Sequence, residues 1–266
     1  MPTQRVVAIT GASAGIGRAT ALRLARDGAA LVLCARRPDR LAHVVEQVER
    51  AGGLALALPA DVTEPAAMTE FVARGLDRFG RLDVMICNAG FGIYGTIDDV
   101  DASRMRRLMD VNFMGTYHAC RAALPVFRRQ ASGHLVIVSS IVGRRGIPFM
   151  GGYSATKFAQ AGLAECLRAE LHGSGVHVTT VFPISTETDF HRTMVQESGF
   201  ATRASGPRQK ADDVAEAIAR VLARPAVEVY PYRLAKGLSV INAIAPALCD
   251  RIVQRWGRRP ITDPRS

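Results

Sequence analysis

Strand-length apolar runs alternate with longer stretches of helical period along most of the chain, and this alternation limits the folds open to it more than any other feature. The runs fall at 6–10 (VVAIT), 31–35 (LVLCA), 54–58 (LALAL), 82–87 (LDVMIC), 134–140 (HLVIVSS), 177–182 (HVTTVF) and 227–230 (VEVY). Apolar residues recur at helical spacing over 15–26, 38–50, 65–79, 102–129, 153–172 and 211–223. Strands that are apolar on both faces and separated by helix-length crossovers predict βαβ units and a parallel sheet covered on both sides. The expectation is an α/β fold: a doubly wound, parallel, seven-stranded sheet in one domain over 1–230, with a C-terminal extension over 231–266. In such sheets ligands bind outside the carboxyl ends of the strands, so motifs at those ends carry the functional weight.

Composition narrows the class further. With 48% hydrophobic residues in 266 the chain can bury a large core. Its five cysteines, Cys34, Cys87, Cys120, Cys166 and Cys249, are scattered in mostly apolar settings without a C-x-x-C pair, which predicts buried free thiols in a reducing, cytoplasmic setting. Histidines and carboxylates show no ligand spacing, so no metal is expected. No leader is expected either, because the first apolar run has the length of a strand. The longest nearly uncharged run, 237–249, is too short to span a bilayer and contains Pro246. The formal charge of +10 could suggest nucleic acid. Half of that excess lies beyond residue 232, where seven basic residues face Asp250 and Asp263, so it reads as a basic tail rather than a nucleic-acid groove.

Gly11, Gly15 and Gly17 stand where the first strand gives way to the first helix. Glycines there let the backbone turn sharply and let a pyrophosphate approach the amides of the helix N-terminus. The spacing G-x-x-x-G-x-G differs from the general G-x-G-x-x-G pattern and by itself also suits an ordinary tight turn. Further motifs follow in order: NAG (Asn88 to Gly90), VN ending at Asn112, VSS ending at Ser140, and YSATK from Tyr153 to Lys157. With TGASAGIG at the start, they resemble the short-chain dehydrogenase/reductase family, over roughly the first 70% of the chain.

The resemblance implies a Rossmann-like fold and an NAD(P)-dependent oxidoreductase with Asn112, Ser140, Tyr153 and Lys157 as its catalytic set. It also implies cofactor contacts from Gly11, Ser13, Gly15, Ile16, Gly17, Asp61, Asn88, Gly90, Tyr153, Lys157, Ile184 and Thr188. In the family Lys157 would hold the nicotinamide ribose and Asn112 would position a proton-relaying water. Asp61 also suits a turn or helix cap, Asn88 suits a tie between strands, and Asn112 suits a structural role. The residues make their own case beside the resemblance. Tyr153 and Lys157 are four apart on one helix face, where the ammonium can stabilise a phenolate and make the tyrosine a general acid/base. Ser140 ends a strand, where its hydroxyl could hold a substrate carbonyl oxygen as charge develops. One departure from the pattern is Pro183–Ile184, where the family carries Pro-Gly; a β-branched side chain resists positive φ and adds bulk near the expected nicotinamide.

NADP(H) is the expected cofactor: Ala35 stands where an acid would hold a ribose 2′-OH, and Arg36 and Arg37 follow, suited to a 2′-phosphate. A catalytically silent nucleotide-binding regulatory or scaffold protein on the same fold stays open as the alternative. A small, mainly apolar carbonyl, sterol-like or acyl-type substrate is expected, under a mobile loop over 188–210. Arg144 and Arg145 are candidates to meet an acidic group on it. The family resemblance implies a homodimer or homotetramer. The tail predicts an amphipathic helix through Leu234, Leu238, Ile241, Ala245, Leu248, Ile252 and Trp256, with Arg251, Arg255, Arg258 and Arg259 towards its end. Packing on its own domain, packing on a subunit partner, and peripheral contact with an anionic membrane all stay open for it.

Overall fold

The structure, a computed structural model, describes residues 4–198, 202–203, 206–256 and 259–260. Its centre is a parallel seven-stranded sheet. The strands are β1 (Val6–Thr10), β2 (Ala30–Ala35), β3 (Leu54–Pro59), β4 (Val84–Cys87), β5 (Gly133–Val138), β6 (Val176–Val181) and β7 (Glu228–Val229). They lie in the order β7-β6-β5-β4-β1-β2-β3. The chain builds outward from β1 to β3 and then returns to place β4 on the other side of β1. The carboxyl ends of β1 and β4 therefore flank the switch point where a doubly wound sheet binds its ligand.

Period-two alternation explains why the strands read as unbroken apolar runs. Val6 and Ala8 join one buried cluster with Val32, Met85, Leu135 and Phe127, whereas Val7 and Ile9 join another with Leu31, Leu33, Ile86 and Val136 on the opposite face. The covering helices are α1 (Gly15–Arg26), α2 (Pro38–Arg50), α3 (Pro65–Phe79), α4 (Ala102–Leu108), α5 (Gly115–Gln130), α6 (Gly151–Glu170), α7 (Phe190–Ser198) and α8 (Ala211–Ala223). Proline opens α2 and α3, where a missing N–H costs nothing, and Gly80 ends α3 in the left-handed conformation. Asp101 caps α4 by accepting from the amides of Ser103 and Arg104.

The structure differs from the sequence expectations in four places. The predicted helix over 102–129 is interrupted by a π-helical turn at Met109–Met114, which widens the backbone around Asn112. The stretch expected as a loop over 188–210 contains α7, and Thr186–Glu187 pairs with Gln209–Lys210 to pin its two ends together. The tail forms two helices, α9 (Ala235–Ile244) and α10 (Pro246–Trp256), because Pro246 cannot continue the first. Cys249 and Val253 are buried where this pair packs on its own domain, and Arg258 lies outside the described residues. Finally, Cys166 is exposed, whereas the other four cysteines are buried; all five are free thiols. Among the described residues no helix is long and apolar enough to cross a membrane.

Candidate active site

At the switch point lies a cavity of about 1300 Å³. Its floor is the glycine turn. Gly11 adopts a φ of 66°, and a side chain at Gly17 would press into the Gly11 carbonyl oxygen and come within 2.6 Å of Asn88 Nδ2. The turn can be this tight only without side chains at these positions. It delivers α1 to the cavity with an uncapped N-terminus: Ala14 offers no side-chain bond, and the first turn holds no acidic residue. Ser13, Ala14, Gly15 and Ile16 line the cavity there, so amide donors and the positive end of the helix dipole face the space. These features fit a dinucleotide pyrophosphate.

Asn88 holds the turn in place. Its Nδ2 donates to the carbonyls of Thr10 and Gly11 at 3.1 Å each, and its own amide donates to Thr10 Oγ1. It lines the cavity as well, together with Gly90. Asp61 also faces the cavity, while its Oδ1 accepts from the Thr63 amide and hydroxyl in a local turn. Beyond Ala35, at the end of β2, Arg36, Arg37 and Arg40 line the cavity.

On the other side Ser140, Tyr153 and Lys157 reach the same cavity from β5 and α6. Tyr153 and Lys157 are buried, and Lys157 Nζ lies 5.6 Å from the centre of the Tyr153 ring. Burial pushes the Lys157 ammonium down from its usual 10.5 to about 7. Its Nζ donates to the Val138 carbonyl and to Gln160 Oε1, both at 3.0 Å. Ser140 caps the short 3₁₀ turn at Ile141–Gly143 and makes only long bonds of 3.4 Å, to the Pro183 carbonyl and from the Val142 amide. A hydroxyl held so weakly can turn toward a ligand.

Two of the predicted residues stand behind the cavity wall rather than in it. Gly17 packs against the turn, and Asn112 is fully buried. The Asn112 side chain accepts from the Phe91 amide and donates to the Phe91 carbonyl and Thr156 Oγ1, so it ties the loop after β4 to α6. Its own carbonyl, in the π turn, accepts from Thr116 Oγ1 at 2.8 Å and Gln160 Nε2 at 2.7 Å. Ile184 and Thr188 do line the cavity. Ile184 raises no backbone conflict, since among described non-glycine residues only Ala131 and Phe149 have positive φ.

The expectation that Arg144 and Arg145 meet an acidic substrate is not met. Neither lines the cavity. Arg144 pairs with Glu165 and Glu228 and lies over the Phe182 ring, while Arg145 pairs with Asp250 and donates to Asn242 Oδ1. Their charge is spent on fixing the 3₁₀ turn to β7 and to the tail helices. Those helices instead contribute Leu238, Ile252 and Val253 to the cavity lining, which also includes the apolar side chains of Met150 and Phe190. His191, which the sequence did not single out, also reaches the cavity and bridges the Tyr94 hydroxyl and Ser185 Oγ at 2.9 Å each.

Strand order, glycine turn and cavity together define a doubly wound, nucleotide-binding α/β protein with a serine, a tyrosine and a lysine on one wall of its site. The chain belongs to the short-chain dehydrogenase/reductase family of oxidoreductases: the short chain dehydrogenase family model matches residues 5–199. It is 35% identical over 254 residues to dehydrogenase/reductase SDR family member 7B of Bos taurus, covering 88% of this chain and 78% of that protein. Among solved structures it is similar to an alcohol dehydrogenase of Thermococcus sibiricus complexed with 5-hydroxy-NADP, with 31% identity, a TM-score of 0.76, and 85% of this chain and 95% of that one covered. It is also similar to a short chain dehydrogenase/reductase of Burkholderia phymatum in complex with NAD, with 25% identity, a TM-score of 0.83, and 92% and 95% covered.

Proposed function

We propose that the protein is an NADP(H)-dependent reductase or dehydrogenase that interconverts a carbonyl and an alcohol, with Tyr153 as general acid/base. The observation that carries this reading is the convergence of Ser140, Tyr153 and Lys157 on the cavity that the glycine turn opens. The bound nicotinamide would supply or accept the hydride. The chain's own residues handle the oxygen and the proton. Ser140 would hold the carbonyl oxygen as negative charge develops, and Tyr153 would give it a proton in reduction and take one back in oxidation. The Lys157 ammonium, 5.6 Å from the centre of the Tyr153 ring, would stabilise the phenolate left behind.

Preference for NADP(H) is supported by Ala35 at the strand end, which offers no carboxylate to a 2′-OH, and by Arg36, Arg37 and Arg40 on the cavity wall beside it. The 5-hydroxy-NADP complex of the Thermococcus sibiricus enzyme supports the same choice, whereas the Burkholderia phymatum protein is held with NAD. Comparing kcat/KM for NADPH and NADH, in the wild type and in Ala35→Asp, tests it. The wild type should prefer NADPH and the variant should move toward NADH; a wild-type preference for NADH would overturn the assignment.

The wall formed by Met150, Phe190, Leu238 and Val253 suits a mainly apolar substrate. A cytoplasmic homodimer or homotetramer is the form the family leads us to expect. Peripheral contact with an anionic membrane is a second proposal for the tail, motivated by exposed Leu234, Ile244 and Leu248 and by Arg233, Lys236 and Arg251 near them in the sequence. Vesicle co-sedimentation with and without residues 233–266 tests that contact, and no lipid dependence in either form would remove it.

A further inference from the structure

Gln160 is fully buried, and its side chain reaches Lys157 of the proposed catalytic set at one end and the backbone of Asn112 at the other. It stands three residues after Lys157, on the same face of α6. Its Oε1 accepts from Lys157 Nζ at 3.0 Å, while its Nε2 donates to the Asn112 carbonyl and to Thr116 Oγ1 at 2.7 Å each. Only one orientation of the amide works: an ammonium needs an acceptor and a carbonyl needs a donor. The Thr116 hydroxyl completes the arrangement by donating to the same Asn112 carbonyl. Every strong donor and acceptor of the Gln160 side chain thus has a partner inside the protein. A satisfied buried polar network of this kind fixes positions, because each alternative leaves a group unpaired in a low-dielectric interior.

We propose that Gln160 is a positioning residue: it anchors the Lys157 ammonium to the π turn at Asn112, so that a fixed side-chain bridge sets where that charge stands beneath Tyr153. The mechanistic consequence rests on the function proposed above, but the bridge itself does not. A lysine side chain has four rotatable bonds, and with Val138 alone as acceptor its Nζ would be held at a single point. The second acceptor, on the same helix, removes that freedom. It also explains why the carbonyl exposed by the π turn is spanned by protein groups: Thr116 and Gln160 take it from two sides. Among the described residues no carboxylate pairs with Lys157. From its own helix it faces the Tyr153 ring; β5 offers the Val138 carbonyl, and the loop after β4 brings Gly90 close. Burial is what lowers its proton affinity, so the neutral amide oxygen of Gln160 is a chief support of the charged form.

The chain contains three lysines, Lys157, Lys210 and Lys236, so lysine labelled at Cε gives a spectrum in which Lys157 is assigned by its loss in Lys157→Arg. The cofactor-free protein is titrated by NMR as wild type, Gln160→Leu and Gln160→Glu, each checked for folding by circular dichroism. Gln160→Leu removes an acceptor and should move the Lys157 midpoint down; Gln160→Glu places a carboxylate there and should move it up, each by about half a pH unit or more. Where turnover is observed, kcat of Gln160→Leu should fall about tenfold with the substrate KM within about twofold, since the charge is displaced and the binding wall is intact. Folded variants whose Lys157 titration is unmoved, or moves the same way in both, would overturn the bridge. Absence of hydride transfer in the wild type would instead defeat the proposed function and leave the titration result standing.

Discussion

Replacing Lys157 by methionine should stabilise the protein while destroying its activity. The unfolded chain holds a proton on this lysine up to about 10.5, whereas burial lowers the folded value to about 7. At 1.36 kcal/mol per unit, keeping the ammonium charged in the fold costs about 5 kcal/mol at pH 6. Methionine fills similar volume without that cost. It strands the Gln160 Oε1 and Val138 carbonyl acceptors, a penalty of about 1–3 kcal/mol, so the net gain is about 2–4 kcal/mol. The sign also fixes a pH dependence. Between pH 7 and 10.5 the unfolded chain binds the extra proton, so wild-type stability contributed by this group rises with pH. The advantage of the variant should therefore shrink by about 1.4 kcal/mol per pH unit above pH 7 and be largely gone by about pH 9. Urea unfolding of the two proteins at about pH 6 and pH 9 measures both effects, and at pH 6 the variant's melting temperature should be higher by about 5–10 °C. A variant less stable than wild type at pH 6, or a difference independent of pH, would refute the reasoning.

Gly17→Ala should lose about 1–3 kcal/mol of stability and most of its dinucleotide affinity, because the new methyl meets the Gly11 carbonyl and Asn88 in the turn; calorimetry and cofactor titration check both. Buried His134, held to about 4 by desolvation and by the neighbouring His177 and Arg5, gives an acid-side signature. Its folded value lies below the usual 6.5, so the unfolded chain takes the proton first and wild-type stability should fall by about 3 kcal/mol from pH 6.5 to 4, a slope that His134→Leu should lack in urea titrations. Arg145→Ala should release α9 and α10, seen as faster amide hydrogen exchange over 235–254, with little change in the central sheet.

Much of the fold could be read in advance because strands buried on both faces leave continuous β-branched and apolar runs, and because α1, α2, α3 and α8 open with recognisable glycine, proline or acidic signals. The π turn could not. Met109–Met114 carries the same apolar spacing as the helices around it, and the widening shows only in where the Asn112 carbonyl finds its donors. Gln160 was invisible for a related reason: a glutamine on a helix reads as solvated unless its buried partners are known. Arg144 and Arg145 misled because Glu228 and Asp250, which take their charge, lie far away in sequence. The break at Pro246 was legible in principle, since proline cannot sit inside a helix that needs its amide, but the apolar spacing on either side of it suggested continuity.

Hydride and proton transfer by this site are followed together in one experiment. The protein is incubated with NADPH carrying deuterium at the transferable position and a panel of apolar aldehydes and ketones, as wild type and as Tyr153→Phe. Deuterium is expected at the carbinol carbon of the wild-type product, with NADPH binding but no turnover in Tyr153→Phe. Wild type that binds NADPH but transfers no deuterium to any carbonyl, or Tyr153→Phe retaining more than about a tenth of wild-type kcat, would contradict it.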